Sequence, residues 1–232
     1  MFGLLLYLQK SEKAENTANR NRRIFCKKED AMRKKSHISL AGYLVREMRL
    51  EELLEHKKAF YLGSILPDLT PKMFAEPHNF MTSYEKLRED MEQIAEHGAG
   101  GGYKERVIWR NIGVVMHYLA DYFTFPHNST YDGNLKDHCL YERDLKYWLR
   151  GFVRTPEAMM IFREQRMVVR HITSLSELFV SIEQMHEAYL AGDHTVEDDC
   201  RWIVAMCSRA LLYFASVLGA QGAGKPVSLC AA

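Results

Sequence analysis

The chain has nothing approaching the ~20 consecutive apolar residues that a membrane-spanning helix requires. Its opening, MFGLLLYLQK, is apolar for only a few residues and has neither a charged n-region nor a small-residue cleavage site, which argues against a signal peptide. The five cysteines, Cys26, Cys139, Cys200, Cys207 and Cys230, are odd in number and form no CxxC pair. That points away from a disulfide framework and from a thiolate zinc site. Reduced thiols fit a cytoplasmic setting, with secretion as the alternative. An excess of either charge is missing too, with 31 Lys and Arg against 30 Asp and Glu. The overall basicity of a nucleic-acid-binding protein is therefore absent, although a local basic patch stays open. Alternating β-branched runs are scarce, so no strand pattern emerges. The glycine run at 99–102 lacks both a preceding strand and a GK[ST] ending, so it reads as a connection and not a phosphate-binding loop.

What is present is helical periodicity. The 232 residues suit one domain, and the pattern predicts an all-α multi-helix bundle of about seven to nine helices. Residues 1–31 read as a flexible basic N-terminal arm, 32–220 as a single all-α domain, and 221–232 as a loose C-terminal tail. Met32 could itself serve as a start. Ser36 is expected to cap a first helix, HISLAGYLVREM, and a second runs through EELLEHKKAFYLGSIL to Pro67. Ser83 is expected to cap a third that ends at Gly98, and a central helix spans about Tyr103 to Phe123. Further helices follow from about His138, from Pro156, from about Leu175 to Gly192, and from Thr195 to Gly219. Cys200 and Cys207, two turns apart, are expected to line the core.

The most informative stretch is GVVMHYLADYFTFPHNSTYDGNLKDHCLYE, Gly113 to Glu142. His117 and Asp121 are four apart, as are His138 and Glu142, and on a helix that spacing puts both side chains on one face. Pro126 and a run of turn residues separate the two pairs and carry His127. Five imidazole and carboxylate side chains so close together suit a transition metal, because a buried His or carboxylate needs a partner or an ion. Upstream, His37, Asp68 and His78 are further candidates. Asp68 and His78 each follow a proline, where a side chain is either a turn former or is projected into a site from a rigid corner. The neighbouring aromatics Phe60, Tyr61, Phe74, Phe80, Tyr118, Tyr122, Phe123, Phe125 and Tyr131 read mostly as core, and some could line a pocket for a cationic head group or a base.

With HISLAGYL at His37, FYLGSILPD ending at Asp68, a nearby His78, then MHYLADYFTFPH and HCLYE, the chain resembles the zinc-dependent phospholipase C family, which shares its fold with the S1/P1-type nucleases. The likeness covers residues 36 to 150 well and the later helices by type. It implies zinc as cofactor, with two ions and a third site. His78, His117 and Asp121 would hold one ion, His127, His138 and Glu142 a second, and His37 with Asp121 would contribute to a third, so that Asp121 bridges. Asp68 would orient or deprotonate the attacking water. Secreted relatives complete the third site with the mature N-terminal residue, whereas here a basic arm precedes His37. The resemblance implies a phosphoester hydrolase acting on a phospholipid, with peripheral contact to a membrane surface. A nuclease or phosphatase, or a non-catalytic zinc-stabilised homologue, is the alternative, with nucleic acid the less favoured substrate. A di-iron bundle needs two ExxH motifs and finds only Glu183 with His186, a residue that reads as an ordinary surface or interface side chain. An HD-type site needs a His-Asp pair on a helix, and Asp193-His194 has the reverse order.

Overall fold

The computed structural model describes residues 34–69, 78–100 and 104–221. The expected basic arm, residues 101–103 of the glycine connection, Phe74 and the tail beyond Gln221 lie outside the described residues. Among the described residues there are eight α-helices and no strand. They are α1 (34–48), α2 (Glu51–Gly63), α3 (Phe80–Gly100), α4 (Glu105–Tyr122), α5 (Leu135–Phe152), α6 (Pro156–Val169), α7 (Leu175–Leu190) and α8 (Val196–Gln221), with a 3-10 turn at Phe125–His127.

Local chemistry sets most of the boundaries. Arg49 at φ 50 ends α1 in the left-handed conformation common just beyond helix C-termini, and Leu50 then opens α2. Asn134 caps α5, accepting from the Lys136 and Asp137 amides while the Asp137 side chain reaches back to the Asn134 amide. Thr155 caps α6 with Pro156 at its first position, and Ser174 caps α7. Two expected caps are corrected. Ser36 sits buried inside α1, which is already running at residue 34. At α3 the cap is Asn79, whose Oδ1 accepts the Thr82 amide at 3.0 Å, while Ser83 donates to the Asn79 carbonyl. Helix α3 also runs past Gly98. A Cβ there would stand 2.5 Å from Leu218 Cδ2, so this glycine serves close packing against α8 and does not terminate the helix. Helix α8 likewise continues past Gly219.

The core is built around α4 and α8. Trp109, Ile112, Val115, Met116 and Leu119 from α4 meet Ile203, Val204, Met206, Cys207, Ala210, Leu211 and Phe214 from α8, all nearly solvent-free. Each large apolar side chain so placed stabilises the fold by roughly 1.5–3 kcal/mol relative to exposure. Cys200 and Cys207 line this core as expected. Over Val196–Gly219, α8 is by length and overall composition apolar enough to cross a membrane, although charged residues interrupt it and no run of ~20 consecutive apolar residues occurs. Its apolar character is used in packing against α4, α5 and α6.

Helices α2 and α4 approach main chain to main chain. A Cβ on Gly113 would lie 2.3 Å from the Phe60 carbonyl oxygen, and one on Gly63 would lie 1.9 Å from that of Arg110. Only glycine fits at this crossing. It brings the end of α2, Ser64, against the buried face of α4 that carries His117.

Candidate metal centre

The second half of α4 is buried all round, so His117, at 0 % exposure, and Asp121, at 6 %, project into the protein and not into water. His117 Nδ1–H donates to the Ser64 carbonyl at 3.0 Å. That bond fixes the tautomer and leaves Nε2 as the free donor atom. Nε2 lies 3.3 Å from His78 Nδ1 and 3.3 Å from Asp121 Oδ2, and His78 Nδ1 lies 3.1 Å from the same Oδ2. Asp121 Oδ1 turns the other way, 3.3 Å from His37 Nε2. The imidazoles of His37 and His117 stack at 4.0 Å between centroids. Asp68 Oδ1 stands 4.0 Å from His117 Nε2, while its Oδ2 is buried with no hydrogen-bond partner among the described residues. A buried carboxylate oxygen left in this state signals a water or an ion in use.

The second pair of helices forms its own triad. Glu142 Oε1 on α5 is 2.8 Å from His138 Nε2 and 3.3 Å from His127 Nε2, the latter on the 3-10 turn. A cavity joins the two groups, lined by Ser36, His37, Asp121, Thr124, His127 and Glu142. Its room of about 30 Å³ is enough for an ion with a water or two.

All eight sequence candidates therefore converge, and none is left outside. They form three groups able to hold a metal, the first two sharing His117: His37, His117 and Asp121; Asp68, His78 and His117; and His127, His138 and Glu142. The donor set is imidazole and carboxylate without thiolate, which suits zinc. The spacing fits as well. Ligands about 2.0–2.1 Å from a tetrahedral ion lie about 3.3 Å from each other, close to the separations within the His78, His117 and Asp121 triangle.

The electrostatics follow from burial and from the groups' mutual contact. Burial alone would raise the Asp121 pKa, but the imidazoles of His117, His127 and His37 outweigh it and hold the carboxyl well below its usual range. Burial and the neighbouring His117 push His37 down, toward the neutral, metal-binding form. Burial opposes charge on His117 too, yet Asp121 pulls its pKa up, so protons and cations compete for its Nε2.

Of the aromatics, Phe60, Tyr118, Tyr122 and Phe123 are core, with Tyr118 edge-on to both His78 and His117. Phe80 stacks on His186 at 4.0 Å. His186 corrects an expectation: it is buried, not a surface residue, and its Nε2–H donates to Asn128 Oδ1 at 2.9 Å. Burial lowers its pKa to about 4, so it stays neutral. It supports the residue next to His127. Nothing local in the sequence announces this, because the partner lies 58 residues away. His56, expected to be exposed, is half-buried and pairs with Glu105 across the α2–α4 crossing at 3.1 Å.

A helical bundle that gathers imidazoles and carboxylates from six segments into neighbouring buried groups defines a class, the all-α proteins with a zinc-type centre. The sequence profile of zinc-dependent phospholipase C matches residues 36–195, and the chain belongs to that family. The matched stretch holds all eight clustered residues. No curated protein and no solved structure matches the chain. The family is zinc-dependent and hydrolytic, with phospholipid as its substrate class.

Proposed function

We propose that this chain hydrolyses the phosphodiester bond between a diacylglycerol and its phosphorylated head group. His78, His117 and Asp121 would hold one zinc ion, His127, His138 and Glu142 a second, and His37 with Asp121 part of a third. The observation that carries this reading is the gathering of eight imidazole and carboxylate side chains into three metal-competent groups, with a cavity between them lined by His37, Asp121, His127 and Glu142. Bound zinc supplies charge neutralisation for the phosphodiester and lowers the pKa of a water from 15.7 toward about 7. The chain's own residues do the rest. Asp121, with its two oxygens facing different histidines, has the geometry of a bridging carboxylate. Ser64 holds His117 in the tautomer that presents Nε2. Asp68 faces the same point from the turn after α2 and would orient or deprotonate the attacking water.

The test is turnover of phosphatidylcholine vesicles and of single-stranded DNA, with and without chelator. Phospholipid hydrolysis that chelator abolishes and zinc restores is the expected result. Chelator-sensitive cleavage of DNA alone would move the chain to the nuclease reading. Loss of neither substrate would make it a non-catalytic homologue.

The outer face of α5 supports contact with a lipid surface. Tyr147 is 62 % and Trp148 52 % exposed, and Leu140 lies two turns before Tyr147. Lys136, Arg143 and Arg150 are exposed along the same helix whose inner face carries His138 and Glu142. Aromatics beside basic residues suit the interface of an anionic bilayer. Replacing Tyr147 and Trp148 together by Ser is expected to lower turnover on anionic vesicles by about ten-fold or more. Turnover of a monomeric short-chain phospholipid should stay unchanged. Equal loss on both substrates would refute the surface role.

A further inference from the structure

The turn that carries His127 and the helix that carries Glu142 are tied together by a carboxylate outside the ligand set. Asp199, in the first turn of α8, is completely buried. Its Oδ2 accepts the Phe125 amide at 2.9 Å and the Tyr141 hydroxyl at 2.7 Å. Its Oδ1 accepts the Tyr189 hydroxyl at 2.8 Å. Phe125 is two residues before His127, and Tyr141 is the residue before Glu142. One carboxylate oxygen therefore holds both segments that make up the His127, His138 and Glu142 triad.

We infer that Asp199 is the positioning residue of that triad, setting the separation between His127 on the turn and Glu142 on α5 at the value a metal requires. A buried carboxylate is costly unless it is hydrogen-bonded, and three donated bonds occupy most of its acceptor sites here. These acceptor sites are directional, so the arrangement resists sliding of α5 along the turn. The turn keeps a second, independent hold. Asn128 donates to the Tyr122 and Thr124 carbonyls and accepts from His186. Loosening the Asp199 link should therefore displace ligands without unfolding the turn. Asp199 lies beyond residue 195, where the family match ends, so the family pattern does not assign it.

The inference rests on the proposed metal reading, and the experiment separates the two. Zinc affinity and stoichiometry are measured by competition with a chromophoric chelator, and Co²⁺ is loaded for its ligand-field spectrum, in wild type, His138→Ala, Tyr141→Phe and Tyr189→Phe. Melting of each metal-free variant is followed alongside. His138→Ala is expected to lose one ion. Tyr141→Phe, which removes only the hydroxyl linking Asp199 to α5, is expected to weaken one zinc by 10- to 100-fold, the range for residues that orient ligands. It should also alter the Co²⁺ bands of that ion. Tyr189→Phe removes an equivalent bond from the same carboxylate on the scaffold side, and should lower metal-free melting while leaving zinc affinity within about two-fold of wild type. Unchanged zinc binding in Tyr141→Phe, or equal loss in Tyr189→Phe, would overturn the positioning role and leave Asp199 as fold support. If His138→Ala costs no ion, the triad is not a metal site and the inference falls with it.

Discussion

Asp121→Ala is expected to strip zinc from the centre and to destabilise the fold in the same step. The carboxylate is almost fully buried, and its two oxygens contact three imidazoles from three segments: His37 on α1, His78 ahead of α3, and His117 on its own helix. Removing one partner from such a buried charged cluster costs about 3 kcal/mol, and the holoprotein also loses the stabilisation that metal binding confers by mass action. After dialysis, elemental analysis should find at least one zinc per chain fewer than in wild type, and the melting temperature should fall to or below that of chelator-treated wild type. Glu92→Ala, on the exposed face of α3, should change neither quantity. The effect has a pH signature. Because the folded-state pKa of Asp121 lies below the ordinary carboxylate value, its stabilisation is fully present above that value and disappears as pH falls through the folded one. Variant and wild type should thus differ most near neutrality and converge in acid. Zinc content and melting indistinguishable from wild type at neutral pH would rule out the bridging role.

Asp68→Asn should do the reverse, leaving zinc and stability intact while removing turnover. Asparagine keeps the shape and the oxygen that faces His117, but it cannot take a proton from water. A positioned general base contributes about 10²–10⁴-fold, and a loss of that order in kcat is expected. If turnover stays within about two-fold, Asp68 is a turn former whose amide bond to the Ile65 carbonyl is its whole contribution.

How much of this was legible in the sequence varies residue by residue. The helical class followed from apolar periodicity. The two four-residue pairs, His117 with Asp121 and His138 with Glu142, were visible because helical spacing is a local rule, and the pairs converge as that rule requires. His37, Asp68 and His78 carried no such spacing and stood out through family resemblance, since their convergence depends on how α1, α2 and α3 pack. Caps were misplaced where a serine competed with a better-placed neighbour: Asn79 can reach the Thr82 amide, so Ser83 falls inside the helix. Asp199 was concealed by its neighbours. In an acidic first turn it reads as a complement to the helix dipole, and only the tertiary structure separates it from half-buried Glu197 and Asp198, which pair with Arg201, by burying it fully against Phe125 and Tyr141. His186 was misjudged for the same reason.

The crossing of α2 over α4 leaves no slack between the scaffold and the chemistry. Most contacts in a protein interior run through rotatable side chains, which absorb small shifts. Here Gly63 and Gly113 bring peptide groups into direct touch, and one turn further along the Ser64 carbonyl grips the imidazole of His117. The orientation of that ring is inherited from two backbones without an adjustable joint in between. Motion of either helix along the other must therefore reach the His117 nitrogen that faces His78 and Asp121 undamped.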